Sequence, residues 1–181
     1  MADATTHIAT QTVSGSSTTV LTFGSIPSSY DDLIMIGTGR CDSTAGAILY
    51  MDIVLNSDTG NNYLYGHAYA YGAGAGYGSS VENAVTAQWR TSSLPGATNS
   101  EDNPGAFYMY LPRYSSSSYE KTMLYTSGAV LNAANAGSSN CHFKAWGLWT
   151  GTGAVSNIEL KMLFGNWIAG SSYSLYGVSN S

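Results

Sequence analysis

The chain has 181 residues, with 6 Lys+Arg against 11 Asp+Glu and a formal net charge of −5. Only 9% of it is charged, against about 25% in an average soluble domain, while 44% is hydrophobic and 12% aromatic. This excludes intrinsic disorder, which pairs low hydrophobicity with high charge. It also disfavours nucleic acid as a partner, because Arg40, Arg90, Arg113, Lys121, Lys144 and Lys161 are scattered and form no cluster that could neutralise phosphates. The length suits one domain, residues 1–181, burying about 70% of the surface its unfolded chain exposes. No apolar run approaches the about 18 residues of a membrane helix, and Met1–His7 lacks both the cationic and the apolar region of a signal peptide. A soluble protein made in the cytoplasm, with no membrane partner, is expected. Its surface of Ser, Thr, Gly, Asn and Tyr suits lasting contact with other protein.

Glycine, serine and β-formers interrupt every window in which a helical period could build, while alternation with period 2 recurs. Residues 1–17 read as an N-terminal arm or as a first strand, with Thr6–Val13 as the strand run. Thr18–Phe23 follows, then a bend at Ile26–Tyr30, where Pro27 presets φ. Further strand runs are Asp32–Arg40, Ile48–Asn56, Tyr63–Tyr71, Val81–Thr91, Phe107–Leu111, Lys121–Thr126, His142–Thr150, Asn157–Phe164 and Tyr173–Val178. In Asn157–Phe164 the residues Ile158, Leu160, Met162 and Phe164 point one way and Glu159, Lys161 and Leu163 the other, as in a half-buried antiparallel strand. Asn56–Asn62 reads as a tight hairpin turn, since its Asp, Gly and Asn residues tolerate positive φ. Gly72–Gly78 and Leu94–Pro104 read as long loops. The pattern predicts an all-β fold, an antiparallel β-sandwich of jelly-roll type with about ten strands.

Chemistry-bearing clusters are scarce. Cys41 and Cys141 are far apart in sequence and belong to no CxxC pair, which argues against zinc. They read as reduced, partly buried thiols, although a disulfide would form if the fold brought them together. His7, His67 and His142 fall in three separate strand runs and in no nucleophile-elbow or HExxH context. Asn56–Asn62 lacks the second carboxylate and closing Glu of a calcium loop, and Gly72–Gly78 opens no helix and so is no phosphate cradle. No cofactor, metal or catalytic residue is therefore assigned. A glycan hydrolase would need two carboxylates about 5 to 10 Å apart in a cleft, but Asp31, Asp32, Asp58 and Asp102 fall in turns. Asp52, in mid-strand, is read as holding a structural hydrogen bond.

The tyrosines are more informative, because a ring with a polar tip gives large contact area at protein or carbohydrate surfaces. Tyr63, Tyr65, Tyr69, Tyr71 and Tyr77 crowd one region and Tyr108, Tyr110, Tyr114 and Tyr119 another; of these Tyr69, Tyr71, Tyr77, Tyr114 and Tyr119 are the candidates for a contact surface, the alternative being that tyrosine is simply a good strand former. Trp146 and Trp149 fall on opposite faces of one strand, so at least one belongs to the core; Trp89 and Trp167 are unassigned.

Four motifs, Phe23-Gly-Ser-Ile-Pro-Ser-Ser-Tyr-Asp-Asp-Leu33, Leu55-Asn-Ser-Asp-Thr-Gly-Asn-Asn-Tyr63, Gly147-Leu-Trp149 and Tyr173-Ser-Leu-Tyr-Gly-Val178, stand in that order. The arrangement resembles small structural proteins of tailed bacteriophages, from about Thr18 to Val178, with Ser57 where that family usually has glycine and Val178 in place of isoleucine. The resemblance implies a virion protein with no enzymatic role, its motif residues specifying the fold. It leaves two expectations open. One is a capsid decoration or cement protein that bridges capsomers of the major capsid protein, as a homo-oligomer and by preference a trimer. The other is a tail or fibre-tip component that binds a host surface glycan or protein.

Overall fold

The alternation of apolar and polar residues becomes twelve β-strands in the computed structural model, which describes residues 4–15, 17–46, 48–71, 76–97, 103–130 and 140–180. In chain order they are β1 (Thr5–Thr12), β2 (Val20–Phe23), β3 (Asp32–Gly39), β4 (Ile48–Leu55), β5 (Tyr63–Tyr71), β6 (Gly76–Thr86), β7 (Trp89–Pro95), β8 (Gly105–Leu111), β9 (Lys121–Val130), β10 (Asn140–Trp149), β11 (Ile158–Met162) and β12 (Ser172–Val178). Eight form one sheet in the order β1-β12-β3-β8-β9-β10-β5-β6, and four form a second in the order β2-β11-β4-β7. Every pairing is antiparallel. The sheets face each other across a shared core, so the fold is the all-β antiparallel sandwich that the alternation predicts. Every connection except β5 to β6, β8 to β9 and β9 to β10 passes from one sheet to the other.

The inward residues of the large sheet include Met35, Met109, Met123, Phe143, Tyr63 and Leu175, and those of the small sheet Phe23, Met51, Ile53, Leu160 and Trp89; all are buried. β11 keeps the expected alternation, with Ile158, Leu160 and Met162 buried. Phe164, expected on the same face, lies beyond the end of the strand and is 50% exposed. Cys41 and Cys141 are buried and form no disulfide. Burial raises the pKa of Cys41, whose Sγ donates to Phe164 O at 3.0 Å.

The run Val81–Thr91, expected as one strand, is divided between β6 and β7, and the chain changes sheet at Ala87–Gln88. The Thr86 hydroxyl donates to Gln88 O at 2.8 Å and holds the corner. The break is set by Trp89, which is fully buried between the sheets with its Nε1–H donating to Leu148 O at 3.1 Å. A continued β6 would keep that indole on the large sheet. β6 also begins at Gly76, inside the expected Gly72–Gly78 loop, and β7 extends to Pro95, inside the expected Leu94–Pro104 loop.

Trp89 lies against the backbone of Gly147, where an added Cβ would come within 2.5 Å of its Nε1 and 2.7 Å of its Cδ1. Both partners are confined by packed sheets, so neither can yield cheaply. Gly147→Ala is expected to lower the unfolding free energy in urea by about 1–3 kcal/mol. Gly153→Ala, with nothing within 4 Å of the added carbon, should change it by less than about 0.5 kcal/mol.

Candidate functional site

Successive strands of the large sheet turn alternate residues away from the core, and nothing among the described residues forms a third layer over them. Cross-strand pairing aligns these outward residues in rows. One row runs His7, Tyr176, Ile34, Tyr110, Leu124, Trp146 and Gly66, from β1 across to β5. The next runs Ser174, Ile36, Tyr108, Thr126, Lys144, Ala68 and Ser79, from β12 to β6. Within them Ile36 is 43%, Tyr108 39%, Leu124 57% and Trp146 46% exposed. These large apolar side chains stand side by side rather than scattered singly, the arrangement that distinguishes a patch from ordinary surface exposure.

Small residues shape one end of this face. Gly66 and Ala68 stand on β5 between the taller side chains of β10 and the edge strand β6. The Trp146 indole lies over Gly66, where a Cβ would meet its Cζ2 at 2.7 Å and its Cε2 at 2.8 Å. Beside it a shallow depression of about 340 Å³ opens over Ala68, with Trp146, Lys144, Leu124 and Ser79 around it.

The electrostatics of the two outer surfaces differ. On the small sheet Asp52 pairs across strands with both Lys161 and Arg90. Arg90 Nε meets Asp52 Oδ1 at 3.1 Å, and Lys161 Nζ meets Glu159 Oε2 at 2.7 Å. Burial raises the Asp52 pKa despite Arg90, and the residue holds the structural bond expected of it. On the large sheet the interior of the face carries one formal charge, Lys144, whose side chain makes no hydrogen bond or ion pair among the described residues. Asp32 stands at the rim and accepts from Tyr110 Oη, the Arg113 backbone N–H and Asn180 Nδ2 at 2.8 Å each. Burial acts to raise its pKa, but these donors outweigh it and hold the carboxyl below the ordinary 3.8.

The tyrosines singled out in the sequence are not what makes this face. Tyr114 is fully buried and its hydroxyl donates to Pro27 O, so it is a core residue and offers no contact surface. Tyr69 points inward and is half-buried, its ring stacked on Phe143 with centroids 5.5 Å apart. Tyr119 is exposed, with the Arg113 guanidinium 5.4 Å from its ring centroid. The side chains of Tyr71 and Tyr77, and all of Asp102, lie outside the described residues. Tyr108, of the second tyrosine-rich region, does lie on this face; Trp146, Leu124 and Ile36 fall outside the sequence expectation, because apolar alternation points first to the core side of a strand. The signal was present: Tyr108 and Tyr110 alternate with Phe107, Met109 and Leu111, and Trp146 has parity opposite to Phe143 and Trp149.

The other candidate chemistry is structural. Asp58, in the β4–β5 turn, accepts from Gly60 N–H at 2.8 Å, Asn62 Nδ2 at 2.9 Å and Trp149 Nε1 at 2.7 Å. These are donors, not cation ligands, and among the described residues no group of three or more His, Cys, Asp or Glu could hold a metal ion. No protein-family model matches the chain, and no curated protein sequence matches it.

The hydrogen bonds to Asp58 outweigh its desolvation and lower its pKa below the ordinary 3.8, as at Asp32. A carboxylate lowered in the folded state stabilises it above the unfolded pKa, and that contribution is lost as pH falls through the folded value. The urea midpoint is therefore expected to fall between about pH 5 and about pH 2, and less steeply in Asp58→Asn. The indoles give a second check. Trp89 and Trp167 are 0%, Trp149 5% and Trp146 46% exposed, so acrylamide should quench one component of the native fluorescence and Trp146→Phe should remove that component.

Proposed function

We propose that this chain is a structural protein of a bacteriophage virion, a capsid decoration or cement protein that seats on the head through the outer face of its large sheet and bridges capsomers. The observation that carries the reading is the contrast between the two outer surfaces. On the small sheet Arg90 pairs with Asp52 across strands and Lys161 with Glu159 along β11, whereas the large sheet presents Ile36, Tyr108, Leu124 and Trp146 with Lys144 as the one charge among them. An apolar surface of that kind is costly on a solitary protein and gains free energy when a partner covers it. The motif resemblance to phage structural proteins supports the same reading. A closed homo-oligomer, a trimer on local three-fold positions, would repeat one modest contact many times and multiply its strength.

A second reading, a tail or fibre-tip component that binds a host glycan or protein, is favoured by Trp146, since an exposed indole can stack on a sugar ring. Particle imaging separates the two. Density for this chain over the head lattice, in hundreds of copies, is the expected result; a few copies confined to one vertex or to the tail would replace it with the second reading.

A further inference from the structure

The docking face has a depression, and its surroundings state what should fill it. We propose that the depression over Ala68 is the anchoring socket of this face and takes an acidic side chain, Asp or Glu, from a protein partner other than a second copy of this chain. The inference rests on the reading of the large sheet as a docking surface and deepens it.

The face is large enough for stable association. Eight strands about 4.8 Å apart span about 34 Å, and about seven residues at about 3.4 Å give about 24 Å along the strands, or about 800 Å². That is about what one partner contributes to an interface of standard size. Within it the socket is where Lys144 stands, on the same side of β10 as Trp146 and across from Ala68 on β5. Docking would strip water from the Lys144 ammonium, and an ammonium buried without a counter-charge costs more than the apolar contacts around it can offset. A carboxylate opposite Lys144 removes that cost, while its methylene stem lies against Trp146 and Leu124. Interface energy concentrates in such places, where an anchor enters a pocket ringed by apolar side chains.

A second copy meeting this one face to face does not fit. The same face would present Lys144 and Asp32, and the Asp32 carboxylate already accepts from Tyr110, Arg113 and Asn180. A sugar fits less well than a carboxylate, since among the described residues the polar side chains lining the depression are Lys144, Ser79 and His67, and the His67 ring packs inward against Tyr69 and Phe143, which leaves too few for the hydroxyls of a ring.

The test uses the purified full chain and virions assembled from a genome that lacks its gene, with binding measured by co-sedimentation. Wild type should bind. Lys144→Glu should bind about 100-fold more weakly or worse, because it sets two carboxylates face to face. Lys144→Arg should stay within about threefold, and Ala68→Phe, which fills the socket from a surface position, should lose about 30-fold or more. Thermal melts of the variants, which alter outward positions, should match wild type. Amidation of the virion carboxylates should abolish wild-type binding. Retention of binding by Lys144→Glu and Ala68→Phe would overturn the socket and leave the docking face standing. Failure of wild type to bind these virions would overturn the virion reading and the socket with it. Binding to host cells that periodate abolishes, with none to virions, would overturn both in favour of a sugar site.

Discussion

The sandwich closes at one end around the Trp89 indole, and much of the surrounding structure exists to make room for it. Tyr63 packs on it edge-on with centroids 5.6 Å apart, and Trp149 stacks on Tyr63 at 6.4 Å. The polar tips of these rings then tie down the turn above them. Leu55 N–H donates to Tyr63 Oη at 3.0 Å, that hydroxyl faces the carbonyls of Leu55 and Asp58, and Trp149 Nε1 reaches the Asp58 carboxylate. One aromatic block thus fixes β7, β10 and the β4–β5 turn together. Aromatic pairs of this geometry add about 0.5–1.5 kcal/mol each beyond their burial.

A second fastening sits nearby and involves a charge. Lys121 begins β9, pairs with Trp149, and is fully buried, its ammonium donating to the carbonyls of Ser116, Tyr119 and Thr152. Three acceptors match its three N–H groups. Burial still lowers its pKa, the expected direction for a cation held by carbonyl dipoles without a counter-ion. The ammonium thus ties the β8–β9 loop, already anchored in the core by Tyr114, to Thr152 of the β10–β11 connection.

Much of this was legible in the sequence because the four motifs are packing devices that meet in space. Tyr30 of the first motif, just before β3, lies over Gly177 on β12 in the last, and Asp58 of the second is bonded to Trp149 of the third. Ser57, which stands where the resembling family has glycine, has φ of 53°, a conformation that glycine adopts more readily. Other features were hidden for physical reasons. The corner at Ala87–Gln88 has no glycine or proline to announce it, and depends on a tryptophan drawn into a distant core. Lys121 looked like one of six scattered cations, since nothing in the pattern reveals that the loop just before it turns the Ser116 and Tyr119 carbonyls back onto its ammonium while Thr152 arrives from another segment. The exposed face escaped notice because apolar alternation shows which residues can be buried, and Trp146 and Leu124 are as apolar as their buried neighbours.

The pairing of β1 with β12 bears on how the protein is made. The ladder of the first strand is supplied by the last, and most connections hop between layers, so few native contacts are local in sequence. Closing such long loops before any reward arrives makes folding slow, on the millisecond-to-second scale typical of sandwiches. During synthesis the edge of β1 waits unpaired until β12 leaves the ribosome, and the outer face of the large sheet is complete only after translation has passed that strand.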